Sequence, residues 1–125
     1  MRTFKTRWFH RWAIREEIED SQLLRIAQEL AGGLVGANLG GHVYKKRLAL
    51  NGIGKRGGAR VLVLFRHGGH AFLAYGFAKR ERDNVGHREL AALRRLADEL
   101  LNYDDEALMK AVDAGELVEV RREEA

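Results

Sequence analysis

Nine of the chain's 22 lysine and arginine residues lie between Gly41 and Arg80, a stretch that contains no aspartate or glutamate. The rest of the chain therefore carries 13 basic and 18 acidic residues, so positive charge is concentrated in the middle. Crowded cations without carboxylates are typical of a surface that binds a polyanion. Guanidinium groups in particular can clamp phosphate oxygens with two parallel hydrogen bonds.

The cations best placed for chemistry lie on, or just after, three predicted strands. Lys45 and Arg47 are two residues apart and so share one face of a strand, whereas Lys46 points to the other face. Arg60 opens the next strand, and Arg80 follows the third. We therefore expect one sheet face to hold Lys45, Arg47, Arg60 and Arg80 together, where they can bind a phosphate group.

Other familiar signatures are weak. The segment "GIGKRG" (52–57) matches G-x-G-x-x-G, but a strand and not a helix follows it, so we interpret it as a hairpin loop that offers Lys55 and Arg56 to backbone phosphates. The five histidines show no metal-ligand spacing, and the absence of cysteine excludes disulfides and thiolate metal sites. We expect no metal and no other cofactor.

Hydrophobic patterning predicts the elements that carry these residues. Trp8, Phe9 and Trp12 indicate a helix from Thr6, its N-cap, to about Glu19. A second helix capped by Asp20 or Ser21 ends at Gly32-Gly33, and 32–41 is a glycine-rich connection. The remaining predicted elements are a short strand at 1–5, strands 42–50, 59–67 and 70–78, helices His87–Leu101 and Asp104–Gly115, an edge strand in "ELVEV", and a frayed tail at 121–125.

The predicted class is a single α+β domain, residues 1–125: a small, mainly antiparallel sheet, two N-terminal helices packed on it and a helical C-terminal part. We expect the helices on one side of the sheet. The strand 59–67 is apolar on both faces and should be central. Apolar runs are far too short to cross a membrane and the basic N-terminus has no apolar core of a secretion signal, so we expect a cytoplasmic protein.

Two consecutive motifs resemble a known family. "YKKRLALNGIGKRGGARVLVLF", followed by "FLAYGFAKRERDN" and a leucine-rich helix, is similar to the RelE/HigB branch of the RelE/ParE superfamily, the toxins of type II toxin–antitoxin modules. The resemblance spans about Leu39 to Leu101. It implies a RelE-like fold, a cognate antitoxin, and cleavage of mRNA on the ribosome without a metal.

The resemblance also implies a reaction: a ribose 2′-OH attacks the adjacent phosphate and leaves a 2′,3′-cyclic phosphate and a 5′-OH. Lys45 and Arg47 match the family's lysine-bearing strand, with Arg47 where lysine is common. Arg60 and Arg80 match its two arginines. Because arginine is a poor base, Lys45 is the better candidate for proton transfer. We predict that further cations bind the RNA backbone: Lys46, Lys55, Arg56, Lys79 and Arg82.

The chain departs from the family at a tyrosine that some relatives carry, whose nearest equivalent position is Gly86. His87 can supply an imidazole there, or it is an ordinary residue of the third helix. Tyr75 and Phe77 are alternative stacking surfaces for a base, or core residues.

Two other functions stay open: a ParE-like protein that inhibits DNA gyrase without catalysis, and a simple basic nucleic-acid-binding protein. Cations that converge on one face favour cleavage. We expect the antitoxin to carry acidic residues toward that face.

Overall fold

The structure is a computed structural model that describes residues 1–121, and it contains six strands and four helices over that range. The predicted α+β class is confirmed. The tail predicted at 121–125 lies, apart from Arg121, outside the described residues. In chain order the elements are β1 (Thr3–Thr6), α1 (Arg7–Arg15), α2 (Asp20–Ala31), β2 (Ala37–Asn38), β3 (Val43–Leu48), β4 (Ala59–Phe65), β5 (Ala71–Ala78), α3 (His87–Leu100), α4 (Asp105–Asp113) and β6 (Leu117–Val120).

All six strands form one sheet, in the order β2-β3-β4-β5-β1-β6. The β3-β4-β5 meander is antiparallel, β1 runs parallel to β5, and β6 pairs antiparallel with β1 as the edge strand that the sequence predicted. The glycine-rich stretch is not only a connection: its residues Ala37 and Asn38 pair with β3 at the opposite edge. Two residues are too few for a hydrophobic alternation to reveal.

Helices cover both faces of the sheet, so the expectation that they lie on one side is wrong. On one face α1 and α2 pack over Val61, Val63 and Phe65. On the other, α3 and α4 pack over Leu62 and Leu64. The physical reason is that β4 is buried on both faces, and each apolar face must be removed from water.

Local hydrogen bonds set the helix ends. Thr6 is the N-cap of α1, as predicted, and its hydroxyl accepts from the Phe9 N–H at 3.2 Å. The helix stops at Arg15, short of the predicted Glu19, and Glu17 takes a left-handed backbone conformation (φ 56°). The N-cap of α2 is Glu19 and not Asp20 or Ser21.

No helix within residues 1–121 is long and apolar enough to cross a lipid bilayer.

A glycine lets α1 sit directly on the sheet. Gly76 lies in β5 beneath the indole of Trp12, and a Cβ added there would come within 2.4 Å of the ring. Trp12 is itself buried, and it packs edge-on against Phe9. A side chain at position 76 would therefore collide with a rigid, well-packed ring.

We predict that Gly76→Ala lowers the free energy of unfolding by about 2 kcal/mol, because the clash with Trp12 outweighs the better strand propensity of alanine. Urea unfolding followed by circular dichroism measures the change. Gly54→Ala is the control: nothing lies within 4 Å of the added Cβ, and we expect a change within about 0.5 kcal/mol. Equal stability of Gly76→Ala and the parent would contradict the packing described.

Candidate functional site

The strand register places three of the expected cations on one face of the sheet. Arg47 is paired with Arg60 across β3 and β4, and Lys45 is paired with Leu62. Directly paired residues point to the same face, and Leu62 belongs to the core beneath α3 and α4. Lys45, Arg47 and Arg60 therefore lie together on that face, toward the end at which β3 stops and β4 begins.

These side chains border an open cleft of about 780 Å³. Six basic residues and two carboxylates line it, which gives a net charge of +4. Lys46 reaches the rim from the opposite face of β3, and its charge is matched by Glu29 at 3.2 Å and by the Leu34 carbonyl at 2.6 Å. The charged lining residues are Glu29, Lys45, Lys46, Arg47, Lys55, Arg60, Lys79 and Asp83.

Arg60 forms the floor of the cleft and is only 7% exposed. Its guanidinium donates to the backbone carbonyls of Lys55 at 3.2 Å, Arg56 at 3.1 Å and Ala59 at 3.1 Å. Burial, and next the charge of Arg47, lower the pKa of Arg60 from its usual value. Arg60 thus ties the loop 51–58 to the sheet and brings Lys55 to the cleft.

Of the two cations that follow β5, Lys79 lines the cleft and Arg80 turns away from it. The expectation that Arg80 shares one sheet face with the other three cations is therefore wrong. The Arg80 guanidinium lies 3.8 Å from Glu16, at the end of α1 on the other face of the sheet. The cause is a bulge in β5 opposite the Leu62–Val63 step. One extra residue there reverses the alternation for the rest of the strand, so the position after Ala78 points to the cleft.

The other predicted residues lie around this cleft. Arg56 is exposed in the loop 51–58, and His87 is the exposed first residue of α3. Phe77 is 3% exposed and lies under the Arg82 guanidinium, 5.2 Å from its ring centroid. Tyr75 lies under the ring of Trp8, at a centroid distance of 4.4 Å. The roles assigned to these residues stay predictions.

Arg82 fixes the segment between β5 and α3. It forms an ion pair with both carboxylate oxygens of Glu89, donates to the Tyr75 hydroxyl at 3.2 Å, and donates twice to the Asn84 carbonyl, at 3.1 and 2.9 Å. Glu89 also accepts from the Gly86 N–H at 2.8 Å. The hydrogen bonds from Arg82 and then from Gly86 lower the pKa of Glu89 to about 2.

Comparison with protein families identifies the chain. The model of the family described as the RelE toxin of the RelE / RelB toxin-antitoxin system matches residues 1–120. The chain belongs to the RelE toxin family. Neither the curated proteins nor the solved structures that were searched contain a match. The match confirms the family resemblance of the sequence motifs and extends it over nearly the whole chain.

Membership has two direct consequences. This RelE-family protein is the toxin of a toxin–antitoxin system, a class that generally cleaves mRNA, and it has a cognate antitoxin as its partner.

Within residues 1–121 no group of three or more histidine, aspartate or glutamate side chains is arranged to hold a metal ion. The cleft of this RelE chain offers instead lysine and arginine side chains.

Sequence reasoning missed two residues of this RelE site. Asp83 lines the cleft, and the Asn84 side chain accepts from Lys45 Nζ at 3.3 Å. Both are the last residues of the family-like motif "FLAYGFAKRERDN", a few positions after the predicted third strand. Their place in that motif was a signal, but both lie beyond the acid-free stretch 41–80 on which the charge argument rested.

We predict that Arg60→Ala exposes the loop 51–58 to trypsin, because the two hydrogen bonds to its backbone, at Lys55 and Arg56, are lost. Cleavage after Lys55 and Arg56, followed by mass spectrometry under native conditions, should accelerate at least about tenfold. Arg66→Ala is the matched control, since Arg66 also donates to a backbone carbonyl, that of Leu101 at 2.7 Å, but far from the loop. Equal cleavage of the two variants would contradict the anchoring role.

We predict that Glu89→Gln destabilises the protein by about 1 kcal/mol at neutral pH, a value limited by solvent screening of a pair whose side chains are 35% and 36% exposed. A depressed pKa contributes stability above the unfolded value of 4.5, and this contribution is lost as pH falls through about 2. The difference between parent and variant should therefore shrink steadily as pH falls from 4.5 to about 2 in urea titrations. In an Arg82→Met background it should be small at every pH; a difference as large at pH 2 as at neutral pH would refute the assignment.

Proposed function

We propose that this toxin is an endoribonuclease that cleaves mRNA on the ribosome in the cytoplasm, without a metal, through attack of a ribose 2′-OH on the adjacent phosphate. The proposal assigns the chain to the HigB-like branch of the family. The observation that carries it is the cleft on the β3–β4 face, where Arg47, Lys55 and Lys79 are exposed and Arg60 lies at the floor.

The reaction needs charge stabilisation and two proton transfers. The 2′-oxygen forms a bond to phosphorus, the bond to the 5′-oxygen breaks, and the products are a 2′,3′-cyclic phosphate and a 5′-OH. A base takes the proton of the 2′-OH, and an acid gives one to the leaving 5′-oxygen. Preorganised cations next to the phosphorane oxygens are worth about 100- to 1,000-fold in rate each.

The residues of the cleft suit these tasks by type and position. Lys45 is the candidate for proton transfer, since an arginine cannot easily give up its proton. Arg47 and Lys79, from opposite sides of the cleft, are candidates for the phosphorane oxygens. Arg80 keeps its sequence-based assignment, but its pairing with Glu16 makes its contribution the smaller one. His87 stays a candidate proton donor.

The same cleft is a candidate binding site for the antitoxin. It is open to solvent and carries a net positive charge, so a segment with acidic side chains can both neutralise the cations and block RNA. We therefore propose that the antitoxin reaches this cleft with carboxylates, while Lys46, already paired with Glu29, contributes little to either partner.

We predict that Lys45→Ala and Lys79→Ala lower cleavage at least about 100-fold, whereas Arg80→Ala lowers it less than about fivefold. The measurement is induction in growing bacteria with mapping of new transcript 5′ ends, followed by assays on ribosome-bound mRNA. Lys110→Ala, on the exposed side of α4, is the control.

Two results would overturn this function. A transcript with 2′-deoxyribose at the cleaved position should resist the enzyme, and cleavage of it would exclude attack by the 2′-OH. Intact transcripts together with damaged chromosomes would point to inhibition of DNA gyrase instead.

A further inference from the structure

The segment 82–86 crosses the end of the sheet beside the cleft, and a continuous chain of hydrogen bonds holds it there. Glu89, in the first turn of α3, holds Arg82 and the Gly86 N–H. Arg82 in turn holds the Asn84 carbonyl with two N–H groups. The planar guanidinium also lies over the buried ring of Phe77, which limits its rotation.

The side chain of Asn84 extends these hydrogen bonds to Lys45, which lines the cleft. Its Oδ1 accepts from the Val85 N–H at 2.9 Å and from Lys45 Nζ at 3.3 Å. Both partners are donors, so the amide must present its oxygen to them. The backbone of Asn84 is fixed by Arg82, and its side chain is fixed by Val85, which leaves the oxygen in one place.

A fixed neutral acceptor is a suitable partner for a lysine that must meet phosphate. The lysine stem has four rotatable bonds, and holding it in one geometry costs up to about 2 kcal/mol of side-chain entropy. One hydrogen bond to Asn84 meets part of that cost in advance and leaves two N–H donors of the ammonium for substrate. A carboxylate in the same position would compete with the phosphate for the charge.

We propose that Glu89, Arg82 and Asn84 form a positioning chain that orients the ammonium of Lys45 in the cleft. None of the three contacts RNA in this role; Arg82, expected from the sequence to bind RNA, acts through Asn84. The inference rests on the proposed function, because it gives this positioning chain a part in the same cleavage reaction.

The first test does not depend on activity. Glu89→Gln should raise the hydrogen-exchange rates of the Val85 and Gly86 amides at least about tenfold, because the segment loses its anchor. Glu119→Gln is the matched control: Glu119 forms an equivalent two-bond pair with Arg2, at 2.9 and 2.8 Å, in the edge strand β6. It should leave both amides unchanged. Unchanged exchange in Glu89→Gln would overturn the proposal.

The second test is a double-mutant cycle on RNA cleavage. Asn84→Ala should lower kcat about tenfold and change KM less than about twofold, because it misplaces a catalytic group without removing a charge. In a Lys45→Ala background the same substitution should change kcat less than about twofold. Thermal unfolding of each variant shows that the fold is kept.

The outcomes separate the two proposals. A tenfold loss from Asn84→Ala that persists in the Lys45→Ala background would overturn the positioning role and leave the cleavage function standing. A parent protein that cleaves no RNA would overturn the proposed function, and with it the catalytic role of the positioning chain. The exchange experiment would still decide whether Glu89 holds the segment 82–86. Loss in the parent background alone supports both.

Discussion

The complete burial of β4 is the constraint on which the rest of the structure depends. Its apolar residues face both sides of the sheet, so helices must cover both sides, and α1–α2 and α3–α4 do so. The cleft borders the end of the sheet where β3 stops and β4 begins. The buried strand carries one charged residue, Arg60, at this end, and its guanidinium meets backbone carbonyls of the loop 51–58. The cleft thus forms where the apolar part of β4 gives way to a charged residue.

Neutral groups hold two of the crowded cations of the cleft. Backbone carbonyls of the loop 51–58 accept hydrogen bonds from the Arg60 guanidinium, and the Asn84 amide oxygen accepts one from Lys45. Lys46 differs, since it is paired with the carboxylate of Glu29 as well as with the Leu34 carbonyl. Neutral acceptors fix the geometry of a cation and leave its charge available, which is what a site for an anionic substrate requires.

Much of this arrangement could be predicted from the sequence. The alternation of residues predicted the strands and the face shared by Lys45 and Arg47, and the motifs predicted the family. The choice between Lys79 and Arg80 could not be predicted, because one bulge in β5 decides which of two neighbouring cations faces the cleft. The acceptor role of the Asn84 side chain could not be predicted either, since it depends on the path of the connection 79–86, which Arg82 and Glu89 fix through contacts between them.

The two tryptophans of α1 lie in different surroundings. Trp12 is 5% exposed under the sheet, whereas Trp8 is 42% exposed and stacks on Tyr75, whose hydroxyl accepts from Arg82. The two rings also stack on each other, at a centroid distance of 6.0 Å, so excitation passes between them and the pair responds as one optical unit. Because indole fluorescence depends on exposure to water, the combined emission reports both global unfolding, through Trp12, and the surroundings of the turn beside the cleft, through Trp8.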